Sequence, residues 1–271
     1  MPEITIVTIS TNELHFLKGM LASLYRHEDS ARFEVILVDN ASKDGTSEYI
    51  RENYPGIFVL RNRKKQGFAF NNNIGMRRAK GDFILVLNPD TVFTEPLLSE
   101  MIGYMRSNPD IGLCACKLMN KDMTVQQSVR RYYTYLTLLV RRFPFFRPFL
   151  LASQINRHHL YEERGKNRVF FPDWILGAFM MFPKKLLDSV GFFDERFKLY
   201  FEDVDLCRRI WHSGLKVCYY PKRSIIHLYN RESDTKRFIK GFKLQKGAKM
   251  HLKSMLRYIL KYRLSLGEKH G

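Results

Sequence analysis

The stretch YFEDVDLCRR, residues 200–209, places Glu202, Asp203 and Asp205 within four positions, behind a run of aromatic residues and ahead of Arg208 and Arg209. Acids are cheapest in water. Set beside so many rings, these read as part of a pocket. A second candidate is LVLNPDT, residues 85–91. A buried strand ends there in Asn88, Pro89 and Asp90, because proline has no N–H for the ladder. Asp90 is then a hard oxygen at a strand tip, of the kind Mg²⁺ or Mn²⁺ accepts together with substrate phosphates. Taken alone, the same residues also fit an Asn-Pro-Asp turn with solvated acids. Asp39 closes FEVILVD, residues 33–39. It suits either a hydrogen bond from a base or ribose hydroxyl or a cap on the helix that follows. Arg61, Arg63, Lys64 and Lys65 cluster beside Gly67, as a diphosphate cradle or as a solvated loop. His227 follows a β-branched run and stands at another strand end, where it can complete a site with Asp90.

The elements that position these residues alternate. ITIVTIS (4–10), FEVILVD (33–39), IFVLRN (57–62) and DFILVLNPD (82–90) read as strands. Helical patterns separate them, the first with Asn12 as its cap and Leu14, Leu17, Leu21 and Leu24 on its apolar face. This β-α order predicts a mostly parallel sheet flanked by helices. Ligands of such sheets bind beyond the carboxyl ends of the strands. Ser10–Asn12, Asp39–Asn40, Asn62 and Asn88–Asp90 therefore converge on one crevice. Farther on, WILGAFMMFPKKLLDSVGFFDE gives a strand and a helix, residues 203–213 a helix with acids at its positive end, and LKVCYYP another strand. The tail from about 236 has a basic amphipathic helical pattern through Phe238, Phe242, Met250, Leu252, Met255, Leu256 and Ile259.

Composition narrows the classes. The 271 residues are long enough for one large domain or two small ones, and 45 Lys+Arg against 27 Asp+Glu gives a net charge of +18. That excess calls for an anionic partner. Cys114, Cys116, Cys207 and Cys218 show neither C-x-x-C nor zinc spacing, which suits free thiols in a reducing compartment. MPEITIVTIS lacks the early basic residues of a signal peptide. No apolar run approaches the ~20 residues of a membrane span. The expected location is the cytoplasm, free or bound to a membrane from that side. Neither G-x-G-x-x-G nor a Walker A loop is present, which argues against nicotinamide and P-loop chemistry.

In order and spacing, TIST-N, VILVDNASKDGT, RN…GFAFNNNIG, GDFILVLNPDT, DWILGAFMM, GFFDERFKLYFEDVDLCRR and IIH resemble the family-2 inverting glycosyltransferases of the GT-A fold, in particular the rhamnosyltransferase-like branch. The resemblance covers residues 4–230. It implies a nucleotide-sugar-binding half (1–120) and an acceptor-binding, catalytic half (121–230) of one GT-A domain, followed by the helical tail (231–271).

The resemblance also implies roles. Asp203 is the general base. Asp39 contacts the nucleobase, with Ile9 and Thr11 packing and hydrogen-bonding the base. Asn62, Gly67, Asn73, Asn88 and Asp90 complete the nucleotide-sugar site. Trp174, Gly177, Ala178 and Glu202 line the acceptor and sugar pocket. Asn88-Pro-Asp90 stands where the family has D-x-D, with Asn in place of the first acid, so Asp90 carries the ligation of Mg²⁺ or Mn²⁺ with His227. The donor it implies is a dTDP- or UDP-sugar, with the resemblance leaning towards dTDP-rhamnose, and the acceptor a growing, lipid-linked cell-surface glycan. Asp205 is free to pair with Arg208 or Arg209.

Two competing classes explain less. A nucleotidyltransferase would show a Gly-rich basic loop after the first strand, where STNELHF stands. A nucleic-acid-binding protein would account for the charge but not for polar strand ends, and no nucleic-acid-binding signature is present. The aromatic and basic residues of 130–151, from Arg130, Arg131, Tyr132 and Tyr133 onward, and the tail suit an anionic membrane surface. They also fit a segment packed on the core with its basic side in water, but the lipid-linked acceptor that the resemblance implies makes a peripheral protein at the inner face of the cell membrane the expectation.

Overall fold

A computed structural model describes residues 1–134, 158–161, 167–228, 239–240, 243–244 and 246–262. Its centre is a single eight-stranded sheet in the order β3-β2-β1-β4-β9-β6-β10-β5. The strands are β1 (Ile4–Ser10), β2 (Phe33–Asp39), β3 (Phe58–Arg61), β4 (Phe83–Leu87), β5 (Thr91–Phe93), β6 (Ile111–Met119), β9 (Phe179–Pro183) and β10 (Lys216–His227). A separate pair joins β7 (Val129–Arg130) to β8 (Trp174–Ile175), and β11 (Ile239–Lys240) pairs with β12 (Lys243–Leu244). The helices are α1 (Leu14–His27), α2 (Thr46–Asn53), α3 (Phe68–Met76), α4 (Leu98–Ser107), α5 (Leu186–Val190), α6 (Glu202–His212) and α7 (Lys246–Tyr262).

Strands β1 to β4 pair in parallel, as the alternation predicts. All five residues of β4 are buried, because a central strand of a covered parallel sheet has no solvent face. Burial of each such Ile, Leu or Val contributes about 1.5–3 kcal/mol. The parallel run puts Asp39, the β3–α3 loop and Asn88 at one end of the sheet. Strand β9 then enters antiparallel between β4 and β6, which brings residues of the second half against the tip of β4.

Two expectations are corrected here, and one stretch is filled in. Asn12 does not cap α1: its backbone is left-handed (φ 59) and its side-chain oxygen accepts the Lys43 N–H, while Asp44 Oδ2 accepts the Leu14 N–H. LKVCYYP and SIIH are not two strands but one, β10, with a register shift between Tyr220 and Ser224 that accommodates Pro221. Residues 91–119, for which the sequence suggests no element, form β5, α4 and β6. The four cysteines are free and buried.

Candidate active site

The sheet end is knitted by amides. Asn40 donates to Thr11 Oγ1 (3.1 Å) and to the Gln66 carbonyl (3.2 Å), and accepts from the Gln66 N–H (2.7 Å). Asn62 donates to Asn71 (2.6 Å). One network thus ties β1, β2, the 62–67 loop and α3 into a single rim. Asp39, fully buried, accepts the Ser42 N–H (2.8 Å) and the Ser47 hydroxyl, with Arg61 Nε 3.7 Å away. Ile9 and Thr11 are half-buried beside it. Asn73 faces the other way: its amide bonds Phe193 in both directions and donates to Glu195, which fastens α3 to the 193–195 segment. Gly67 is required by a close approach, since a Cβ there would lie 2.5 Å from the Lys198 carbonyl oxygen.

Asn88, Asp90 and His227 meet at the tip of β4. His227 pairs with Thr91 across the antiparallel β10–β5 ladder, which sets its ring beside the preceding turn. Its Nε2 lies 3.2 Å from Asp90 Oδ1 and 3.4 Å from Asn88 Nδ2, and its Nδ1 2.7 Å from Gln126 Oε1. If Nδ1 donates to the amide oxygen, Nε2 and Asp90 Oδ1 are two acceptors facing each other. Such a pair invites a cation. Cis ligands on a small octahedral ion at roughly 2.1 Å are about 3 Å apart, close to the 3.2 Å found. Among the described residues no cluster of three or more His, Cys, Asp or Glu forms a self-sufficient metal site.

Asp203 is reached from this tip through one strand pairing. The Asn88 N–H donates to the Ala178 carbonyl (3.0 Å), and the neighbouring Gly177 N–H donates to Asp203 Oδ2 (3.2 Å). Asp203 Oδ1 accepts the Val204 N–H (2.9 Å). Burial pushes the Asp203 carboxyl above its ordinary value, against the opposing pull of these two N–H groups and of Arg130. Glu202 is pushed up further, by burial and then by the Asp203 charge, and its Oε2 is buried without a hydrogen-bond partner. Asp205 is fully buried and differently served. Arg209 Nε (2.9 Å), Lys261 Nζ (2.5 Å) and the Tyr262 hydroxyl (2.7 Å) all bond it.

The backbone before these acids is strained. Tyr200 and Phe201 both adopt left-handed φ, 67° and 72°, at a cost of about 1–3 kcal/mol each. The Phe201 ring is held by Tyr133 (5.2 Å), His251 (5.3 Å) and Tyr258 (5.3 Å). Trp174 is a buried wall: its Nε1 donates to the Arg131 carbonyl and Arg130 lies over its ring.

The membrane expectation is corrected for Tyr132 and Tyr133, which are buried in the core. Arg130 and Arg131 lie over Trp174 and Tyr161. Residues 135–151, Phe238 and Phe242 lie outside the described residues. The inner face of α7 packs on the 199–208 stretch through Ser254 and Tyr258, leaving Leu256 and Leu260 exposed. No helix among the described residues is long and apolar enough to cross a membrane. Gln126, beside a turn, and Arg130, in the two-residue strand β7, are contributors that periodicity does not mark.

Solved structures share the architecture. The crystal structure of GalNAc-T7 with UDP, GalNAc and Mn²⁺ superposes with a TM-score of 0.66 at 15% identity over 95% of this chain, which spans 48% of that one. The mannosyltransferase PcManGT of Pyrobaculum calidifontis, in complex with GDP-Man and Mn²⁺, superposes with a TM-score of 0.60 at 16% identity, over 97% of this chain and 76% of that one. The fold is that of the GT-A glycosyltransferases, and the protein is a glycosyltransferase. The profile of Glycosyl transferase family 2 matches residues 5–181, and the chain belongs to that family. It is similar to the rhamnosyltransferase WbbL of Escherichia coli K12, 28% identical over 96% of this chain and 93% of that protein. It is 25% identical to the N-acetylglucosaminyl-diphospho-decaprenol L-rhamnosyltransferase of Mycobacterium tuberculosis H37Rv, over 82% of this chain and 75% of that protein.

Proposed function

We propose that the chain is an inverting glycosyltransferase of the rhamnosyltransferase branch. It moves a sugar from a dTDP- or UDP-sugar to a lipid-linked glycan on the cytoplasmic side of the cell membrane. The observation that supports this best is the placement of Asp203. Its carboxylate is oriented by the Gly177 N–H, one strand pairing from the Asn88–Asp90 tip.

Asp203 takes the proton of the acceptor hydroxyl as that oxygen bonds the anomeric carbon. The bond from that carbon to the diphosphate breaks on the opposite face, and its electron pair leaves with the diphosphate. One base suffices for inversion, whereas a covalent retaining route would need a nucleophilic carboxylate. Burial keeps Asp203 basic enough to accept the proton. Glu202 orients the acceptor. Asp39, Ile9, Thr11 and Asn62 serve the nucleotide, with Gly67 and Asn73 holding the rim in shape. Asp90 and His227 would hold Mg²⁺ or Mn²⁺, which supplies charge neutralisation for the departing diphosphate when bound. The resemblance to rhamnosyltransferases named above carries the choice of sugar, and Trp174 and Ala178 wall the pocket that receives it.

The test is a panel of nucleotide sugars with Mn²⁺, reading released nucleotide diphosphate. Turnover of one dTDP- or UDP-sugar is expected, lost ~10²–10⁴-fold in Asp203→Asn with donor binding kept. An active Asp203→Asn beside an inactive Glu202→Gln would move the base to Glu202.

A further inference from the structure

We propose that Gln126 is a positioning residue that fixes His227 as its Nδ1–H tautomer, through a one-way hydrogen-bond chain that starts at Asp122. The consequence for cation binding rests on the proposed role of His227 as a metal ligand.

The chain has only one consistent direction. Asp122 is exposed, and its carboxyl is held below its ordinary value first by the Thr124 hydroxyl. As a carboxylate it can only accept, so the Thr124 hydroxyl gives it its single proton (2.6 Å). Thr124 Oγ1 must then accept from Asn120 Nδ2 (2.9 Å). That turns Asn120 Oδ1 towards Gln126 Nε2, which donates to it (2.9 Å). Gln126 is left presenting Oε1 to His227 Nδ1 (2.7 Å). An amide oxygen can only accept, so Nδ1 carries the proton and Nε2 carries the lone pair. Reversing both amides would leave the Thr124 and Asp122 oxygens lone pair to lone pair at 2.6 Å.

The backbone supports the same direction. The Asn120 N–H donates to the Thr124 carbonyl and the Met123 N–H to the Asn120 carbonyl, with Met123 left-handed at φ 63. This closes the turn that stacks Asn120 and Thr124. The Gln126 N–H donates to the Leu118 carbonyl, which pins Gln126 to the end of β6. Gln126 and His227 are buried, so water competes little at the inner end. Asn88 Nδ2 at 3.4 Å is a donor towards the bare Nε2, consistent with the same tautomer. The chain thus leaves a nitrogen lone pair facing Asp90 Oδ1, the arrangement a cation needs. Outer-shell partners that set a histidine tautomer typically change metal affinity 10–100-fold.

The experiment uses the full chain, freed of metal by chelation and labelled with ¹⁵N-histidine. Long-range ¹H–¹⁵N correlation reads the tautomer, with His227 assigned by its absence in His227→Ala. Manganese binding is followed in parallel by titration of MnCl₂. In the wild type Nδ1 should be protonated and Nε2 bare. Gln126→Leu should lose that preference and bind Mn²⁺ about 10–100-fold more weakly, while Gln126→Glu, which keeps an acceptor, should restore it. An Nε2–H tautomer in the wild type overturns the proposal without any variant. So does Gln126→Leu with an unchanged tautomer. If His227→Ala binds Mn²⁺ as the wild type does, the metal role of His227 fails by itself, and a tautomer lost in Gln126→Leu still supports the hydrogen-bond chain.

Discussion

Removing the Tyr258 ring tests whether α7 holds Asp203, the proposed base, in place. Tyr258 is fully buried in α7, 5.3 Å from the Phe201 ring and 4.9 Å from Tyr262, and its hydroxyl accepts from Arg208 Nη1 at 3.1 Å. Phe201 directly precedes Glu202 and Asp203 and keeps its left-handed backbone only while its ring is packed. Losing a core ring costs about 3–5 kcal/mol, and loss of a hydrogen bond to a charged group about 1.5–3. Tyr258→Ala should therefore lose about 5 kcal/mol or more, a large share of an ordinary domain's 5–15 kcal/mol. Tyr258→Phe removes only the hydroxyl and should lose about 1.5–3 kcal/mol. Urea unfolding by circular dichroism gives the stabilities, and kcat with donor Kd at low temperature gives the effect on the site. Tyr258→Phe should keep near-normal kcat. Tyr258→Ala, where still folded, should lose kcat with donor binding spared, because the backbone ahead of Asp203 is free to relax. A folded Tyr258→Ala enzyme with wild-type kcat would refute the reasoning.

Arg130→Met removes a charge that lowers the Asp203 pKa. If Asp203 is the base as proposed, its protonation silences the enzyme, so the acid limb of kcat/KM, expected above the ordinary value of about 3.9, should move to still higher pH. An unmoved limb would separate Arg130 from the base. Gly67→Ala puts a Cβ against the Lys198 backbone. It should cost about 1–3 kcal/mol and reduce turnover, as read by thermal melting and nucleotide release. Asp194 is held well below the usual carboxylate range, first by Arg196 and also by Lys261. A depressed folded pKa stabilises above the unfolded value and is lost as pH falls below it. Asp194→Asn should therefore lower the melting temperature at pH 7, and the gap to wild type should narrow below about pH 3.9. Leu256 and Leu260 are exposed on α7 beside Lys253 and Arg257. Each basic residue near an anionic bilayer contributes about 1 kcal/mol. Co-sedimentation with anionic vesicles should be seen at low salt and reversed at high salt, and its absence at low salt would remove the membrane from the reading.

What the sequence discloses depends on how local its cause is. Strands β1, β2 and β4 are legible because a parallel strand buried on both faces must be apolar almost throughout, and their polar ends follow from that. The antiparallel entry of β9 between β4 and β6 is not legible, since FMMFP states only that it is buried. Pro221 reads as a strand end, yet β10 passes it through a register shift that only its neighbours reveal. Tyr132 and Tyr133 alternate with arginines much as an interfacial segment does. Their burial is decided by Trp174, Phe201 and Arg208, more than forty residues away in the chain.

The acid triplet shows the same limit within one helical turn. Residues two apart on a helix point roughly 200° apart, so Asp203 and Asp205 cannot share a neighbourhood. Asp205 turns towards α7, where Lys261 and Tyr262 bond it, and Arg209 of its own helix bonds it as well. Asp203 turns towards Gly177 and, among the described residues, accepts the Gly177 and Val204 N–H groups. Burial raises the Asp203 carboxyl and so makes it a better proton acceptor. The proposed roles of Asp203 as base and Asp205 as anchor rest on which face of α6 meets which element, and chain order alone does not contain that.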